Sequence, residues 1–141
     1  MQKIHFYFHD KKITIKERKR LKLFIKKLFI KEKKKLGQLS YIFCSDKYLL
    51  GINVEFLEHN FYTDVISFDL ASPLEKIEGE VYISVDRIKD NAKLMGIKLN
   101  EELHRVIFHG ALHLCGYKDK RKEEIIKMRS KEEKYLKLYL K

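Results

Sequence analysis

Residues 109–119 read HGALHLCGYKD. His109 and His113 stand four apart in an apolar run that includes Val106, Ile107, Phe108, Leu112 and Leu114 and reads as a helix. At 3.6 residues per turn this spacing stacks both imidazoles on one helix face. Two neutral imidazoles one turn apart can grip a single transition-metal ion, and zinc is the expected one, one ion per chain. Gly116 breaks the helix, and Asp119 follows with a carboxylate that can return as a third ligand or can cap the next helix. Three protein ligands leave a tetrahedral ion one open position, as in catalytic sites. Histidines on a buried helix need partners, because unpaired polar groups are costly in the interior. His104 lies about 140° round the helix from His109 and should stay outside the site. Cys115 lies roughly 200° past His113 and reads as a buried thiol.

The run resembles the signature of the YbeY family of metal-dependent endoribonucleases, H-G-x-L-H-L-x-G-Y-D-H. His109, Gly110, Leu112, His113, Leu114, Gly116 and Tyr117 match it. Upstream, Asn53 followed by Thr63, Asp64, Val65, Ser67 and Phe68 resembles the family block N…T-D-V-L-S-F. Gly79, Tyr82, Ile83, Ser84 and Ala92 resemble its block G-D-I-x-I-S…A, and the three blocks together cover roughly residues 50–120. The resemblance implies a metal at the end of a cleft, RNA cleavage, and a role in ribosomal RNA maturation and ribosome quality control, with ribosomal RNA and the small ribosomal subunit as partners.

There are departures from the family pattern. Asp119 falls where the family has its third histidine, which makes the ligand set His109, His113 and Asp119. Leu57 falls where the family usually has an arginine associated with RNA cleavage, and His59 is close by. Glu80 stands where the family usually has aspartate. Asp64 and Glu80 are the nearest carboxylates in the family-like blocks. They can hydrogen-bond the ligand histidines or take a proton; equally, Asp64 can cap a turn and Glu80 can lie on a solvated strand edge.

Zinc lowers the pKa of a bound water towards roughly 7 and acts as a Lewis acid on a phosphoryl oxygen, while the 2′-OH of RNA offers a second nucleophile. Zincin peptidases place a glutamate base directly after the first histidine of H-E-x-x-H. Gly110 holds that place here, which weighs against peptide hydrolysis. A non-catalytic RNA or ribosome binder with a structural metal, and a metallohydrolase of another substrate class, stay open as alternatives.

The chain has 141 residues, which predicts a single domain over 1–141. It has no run of 18 apolar residues and no signal-like N-terminus, and its two cysteines make no disulfide framework. A cytoplasmic protein without membrane attachment is expected. Residues 1–36 carry 14 Lys/Arg against 3 Asp/Glu, whereas residues 37–141 carry 17 of each. The whole net charge of +11 therefore sits in the N-terminal segment. Such a concentration suits a phosphate backbone, although lysine is plentiful throughout the chain. Lys19, Lys22 and Lys26 share one stripe by helical spacing and are the candidate RNA contacts.

The expected elements place these motifs in an α/β (α+β) fold, a mixed sheet of about four strands covered by helices. Strands are expected at Ile4–Phe8, Leu39–Cys44, Val65–Leu70 and Glu80–Val85. A capping box at Thr14 and Glu17 predicts a helix to about Lys35, stopped at Gly37. Its core positions should be Leu21, Phe24, Ile25, Leu28 and Phe29. Ser45 should cap a helix through Leu57, and another should run from Asp86 to Leu94, ending near Gly96. Asn100 should cap the HGALH helix. A final helix should span Arg121 to Leu140, with Ile125, Ile126, Met128, Leu136 and Leu138 as apolar contacts.

Overall fold

A computed structural model describes residues 3–58, 63–70 and 76–140. Four strands, β1 (Ile4–Phe8), β2 (Leu36–Cys44), β3 (Val65–Asp69) and β4 (Ile77–Ser84), form one sheet in the order β1-β2-β4-β3. The β1–β2 and β2–β4 pairs are parallel and β3–β4 is antiparallel, so the sheet is mixed, as expected. Five helices accompany it: α1 (Arg18–Lys31), α2 (Asp46–Leu57), α3 (Val85–Met95), α4 (Leu99–Leu114) and α5 (Lys122–Leu140).

Alternation along β4 divides the molecule. Gly79, Val81 and Ile83 are buried, and Val81 faces Gly110 of α4. This face belongs to the main core, which also takes in α1, α4 and α5 through Leu21, Phe29, Phe108 and Tyr135. The opposite face carries a smaller core of Cys44, Leu49, Ile52 and Ile66 under α2, with Phe68 and Tyr82 packed against it. Cys44 and Cys115 are both buried and free.

Several boundaries depart from expectation, each for a local reason. Thr14 does not cap α1. Ile13 and Ile15 are both buried, and this inward alternation keeps their segment out of the helix. The helix starts at Arg18, after Glu17 in a left-handed conformation (φ 52°) with no side-chain cap. It also ends earlier than Gly37. The Lys33 and Lys34 amides bond back to Ile30 and Phe29, closing a Schellman turn in which Lys33 (φ 60°), not a glycine, takes the left-handed position. Gly37 lies inside β2, at a register shift. Lys98 rather than Asn100 precedes α4; it makes no side-chain cap, and Asn100 is already helical. On α5, Met128 and Leu136 are buried, but Ile125, Ile126 and Leu138 are exposed. The buried stripe runs Met128, Glu132, Tyr135, Leu136 and Tyr139, with two tyrosines and a glutamate in place of the expected isoleucines.

The Ser45 cap and the Gly96 stop follow the sequence. The Ser45 hydroxyl accepts from the Tyr48 amide at 3.1 Å. Ser84 does the same for Arg87 at the start of α3, and Gly96 (φ 65°) ends that helix. Among the expected core positions of α1, Leu21, Ile25, Leu28 and Phe29 are buried, and Phe24 packs against them. His59 lies outside the described residues. No described helix is long and apolar enough to cross a membrane.

The close seating of α4 on the sheet predicts the effect of a small change. A Cβ at Gly110 would stand 2.5 Å from Val81 Cγ1. Gly110→Ala should therefore lower stability by about 1–3 kcal/mol, although alanine is the better helix former. Chemical denaturation checks this, and a neutral or stabilising change would contradict the tight seating.

Candidate metal centre

The site is assembled on α4 and the turn that ends it. Position 110 meets the sheet, so its neighbours His109 and His113 fall on the flank of the helix and stay partly accessible. The Gly116 amide bonds to the His113 carbonyl and the Tyr117 amide to the Leu112 carbonyl. This is a Schellman stop with Gly116 (φ 106°) in the position that favours glycine, as the sequence indicated. The turn brings Asp119 back over the helix. Its Oδ2 lies 3.2 Å from His109 Nε2 and 3.3 Å from His113 Nε2. One ligand atom from each of the three residues fits within a 4.8 Å cluster, which could hold a metal ion.

The remaining ring nitrogens are engaged. His109 Nδ1 lies 2.6 Å from Glu132 Oε2, and His113 Nδ1 lies 3.0 Å from the Tyr117 carbonyl. Donation from Nδ1 fixes both rings and points both Nε2 atoms at Asp119. The rings stand nearly perpendicular, 85° apart, with centroids at 4.5 Å.

Electrostatics favour a cation at this point. Burial alone would push the His109 pKa down, but hydrogen bonds to Asp119 and Glu132 outweigh it and raise it to about 9. Burial and the neighbouring His109 charge push His113 down. The hydrogen bond from His109 leads the effects that bring Asp119 down to about 2. Near neutral pH, His113 Nε2 and Asp119 Oδ2 therefore present lone pairs to each other, beside a proton on His109. A divalent ion between them would satisfy all three atoms.

The surroundings sort the other candidate residues. Asp64 borders the same cleft as His109 and Asp119, and burial raises its pKa against the pull of His109. Glu80 points to the α2 face of the sheet, where it accepts from the Tyr82 hydroxyl at 3.1 Å; the structure does not bring it to the histidines. Leu57 does line the cleft, beside Asn53 and Asp64. The lysine stripe is elsewhere. Lys22 lies over the Phe6 ring of β1 at 5.3 Å, at the sheet edge opposite β3, whereas α4 packs over β3 and β4. Three strand spacings, about 14 Å, separate those edges. His104 stays outside the site: its Nδ1 meets the Asn100 carbonyl and its ring stacks on Tyr139.

Sequence reasoning missed Glu132 and its neighbours. Glu132 reads as one more charge in KEEKY, yet it is buried and spaced four from both Met128 and Leu136. That spacing, which places a glutamate on an apolar stripe, was the available signal. Arg105 balances it, meeting Glu101, Glu102, Glu132 and Glu133. Burial pushes Glu102 up to about 7 even so.

Comparison with known proteins then decides the lineage. The family model described as Endoribonuclease YbeY matches residues 5–140. The chain belongs to the YbeY endoribonuclease family. It is 46% identical to an Endoribonuclease YbeY of Cytophaga hutchinsonii over 135 residues, 96% of this chain and 94% of that protein. It is 41% identical to one from Porphyromonas gingivalis over 136 residues, 96% of this chain and 89% of that protein. Its fold resembles a solution structure from Thermotoga maritima with a TM-score of 0.59 and 27% identity, over 94% of this chain and 86% of that one. The YbeY-like blocks read from the sequence thus sit within a match that spans nearly the whole chain.

A metal ion held by these three residues displaces the His109 proton. Because that proton is held up to about pH 9, apparent metal affinity should fall about tenfold per pH unit from pH 9 towards pH 7. Chelator-competition titrations across this range measure it. Affinity independent of pH there would separate His109 from metal binding.

Proposed function

We propose that this chain is a zinc-dependent endoribonuclease that cleaves single-stranded RNA in the cytoplasm. Its target is ribosomal RNA and the small ribosomal subunit, in maturation of the 16S 3′ end and in ribosome quality control, and it works as a single domain with one zinc per chain. The observation that carries this reading is the convergence of His109, His113 and Asp119 at the wall of an open cleft, with both imidazoles already oriented. The reaction class is that of the YbeY relatives, and the ribosomal target rests on the family resemblance.

Zinc bound there would supply Lewis acidity towards a phosphoryl oxygen and lower the pKa of a coordinated water. The chain does the rest. Glu132 and the Tyr117 carbonyl keep the two rings from turning. Asp64, held in a protein-lined position that raises its proton affinity, is placed to accept or pass on a proton beside His109. Lys118 and Lys120 border the cleft, where their charge suits RNA phosphates. The cleft, about 630 Å³, has room for unpaired nucleotides. A peptidase-type glutamate at position 110 would run into Val81. Leu57 lines the cleft where, by the resemblance, the family usually has an arginine, which favours slow cleavage, or cleavage that depends on positioning by the ribosome. The same observation supports a second reading, a non-catalytic RNA binder.

Wild type, His109→Ala, Asp119→Asn and Asp119→His should be compared on ribosomal RNA precursors and on isolated small subunits, with and without chelator. Wild type should cleave only with metal, and His109→Ala should not cleave. Asp119→Asn should lose zinc, while Asp119→His should retain it. Cleavage that survives His109→Ala or chelation would refute the proposal. Absence of cleavage by zinc-loaded wild type on both substrates would establish the binder reading.

Neutralising Lys19, Lys22 and Lys26 together should weaken RNA binding alike for all sequences. The log–log salt slope should flatten by up to about 0.7 for each phosphate no longer engaged. An unchanged slope would leave the stripe a solvated face, with RNA confined to the α4 side.

A further inference from the structure

The loop that delivers Asp119 is held from outside the site by a residue 85 positions away in sequence. Glu32 follows the last residue of α1 and is largely buried. Its Oε1 accepts from the Tyr117 hydroxyl at 2.6 Å, and its Oε2 accepts from the Tyr135 hydroxyl and from Lys131 Nζ. Lys127 and Lys131 lie over the Tyr117 ring at 5.6 and 5.5 Å and hem it in. Tyr117 also acts through its backbone, where its carbonyl accepts from His113 Nδ1. Its side chain is thus pinned to α1 and α5 while its carbonyl orients a candidate metal ligand.

We propose that Glu32 is a positioning residue for the metal centre. By anchoring the Tyr117 hydroxyl, it fixes the carbonyl that orients His113 and the turn that carries Asp119. This rests on the metal reading above. The chain of contacts is continuous: Glu32 carboxylate, Tyr117 hydroxyl, Tyr117 carbonyl, His113 Nδ1, then His113 Nε2 facing Asp119. As far as His113 each contact is a hydrogen bond or a covalent step, and the last is a facing pair that a bound ion would bridge. Gly116, with φ 106°, is followed at once by Tyr117, so the anchor acts beside the most conformationally permissive residue of the turn. Without it, the backbone ties of the turn are the amides of Cys115, Gly116 and Tyr117 and the Tyr117 carbonyl that meets His113. The amide bonds fix where the helix stops, and the Tyr117 side chain is what joins the turn to Glu32.

Glu32 also ties α1 to α5 through Tyr135, and that role is purely structural. The two roles separate by variant. Tyr117→Phe removes only the hydroxyl that joins the turn to Glu32. Tyr135→Phe weakens the α5 tie to its Lys131 contact and leaves the turn anchored. Glu32→Ala removes both, and Glu32→Gln keeps an acceptor oxygen for Tyr117.

The experiment measures zinc affinity by chelator competition and the visible absorption of the cobalt-substituted protein, with the thermal stability of each metal-free variant recorded alongside. His113→Ala serves as the control. Tyr117→Phe and Glu32→Ala should each weaken zinc binding about tenfold or more, as loss of a partner that orients a ligand does, and should alter the cobalt spectrum. Glu32→Gln should recover most of the affinity. Tyr135→Phe should lower the melting temperature while leaving affinity within about twofold of wild type. The positioning role is overturned if wild type binds zinc, His113→Ala does not, and Tyr117→Phe binds as wild type does with the same cobalt spectrum. It is equally overturned if affinity follows melting temperature across the set. Equal binding by wild type and His113→Ala would overturn the metal reading itself, and the positioning role with it.

Discussion

The contact between α4 and the sheet at two glycines governs the geometry of this protein. A Cβ on Gly110 would press into Val81, and one on Gly79 would press into Leu114 at 2.5 Å. Helix and sheet therefore approach more closely than side chains normally allow, and the rotation of the helix about its axis is fixed. With position 110 facing strands, positions 109 and 113 must lie on the adjoining flank, one turn apart. The same approach leaves no place for a catalytic glutamate after the first histidine. A packing constraint and the choice of chemistry thus come from one residue.

Charge around the flank is arranged in layers. His109 sits between two carboxylates, Asp119 on the side of the cleft and Glu132 on the side of the core. Glu132 is buried and would be costly alone. Arg105 offsets it, together with Glu102, from the next turn of the same helix. The carboxylates still dominate at His109, where hydrogen bonds to Asp119 and Glu132 hold the pKa up to about 9 against burial, while burial is what raises Glu102 to about 7. An environment that holds a proton so firmly between oxygen and nitrogen atoms is one that favours a metal cation in the same place.

What the sequence disclosed follows from the range of the interactions involved. The histidine pair, the Gly116 stop and the return of Asp119 all lie within eleven residues, and helical periodicity with one glycine is enough to place them. The four strands and the Ser45 cap were equally local. The ends of α1 were not. Ile13 and Ile15 are held by burial across the chain, and Lys33 adopts a backbone conformation in which glycine is the usual signal. Glu132 and Glu32 escaped for a related reason. Each is a charged residue in a charged stretch, and only the folded contacts distinguish it from its solvated neighbours. Lysine composition, in turn, marked α1 as basic but carried no information on which edge of the sheet it would cover.

Both thiols of the chain, Cys44 and Cys115, are buried, and burial leads the effects that push each up to about 12. The thiolate is the form that reacts with oxidants and captures soft ions such as copper(I). Near neutral pH both cysteines are held as unreactive thiols. Cys115 lies only two residues past His113, yet it offers no competing sulfur ligand at the site. The candidate centre is accordingly made of nitrogen and oxygen alone. A metal held by these three residues would meet no soft donor, and an oxidant that strips thiolate-bound zinc would find no sulfur among them to attack.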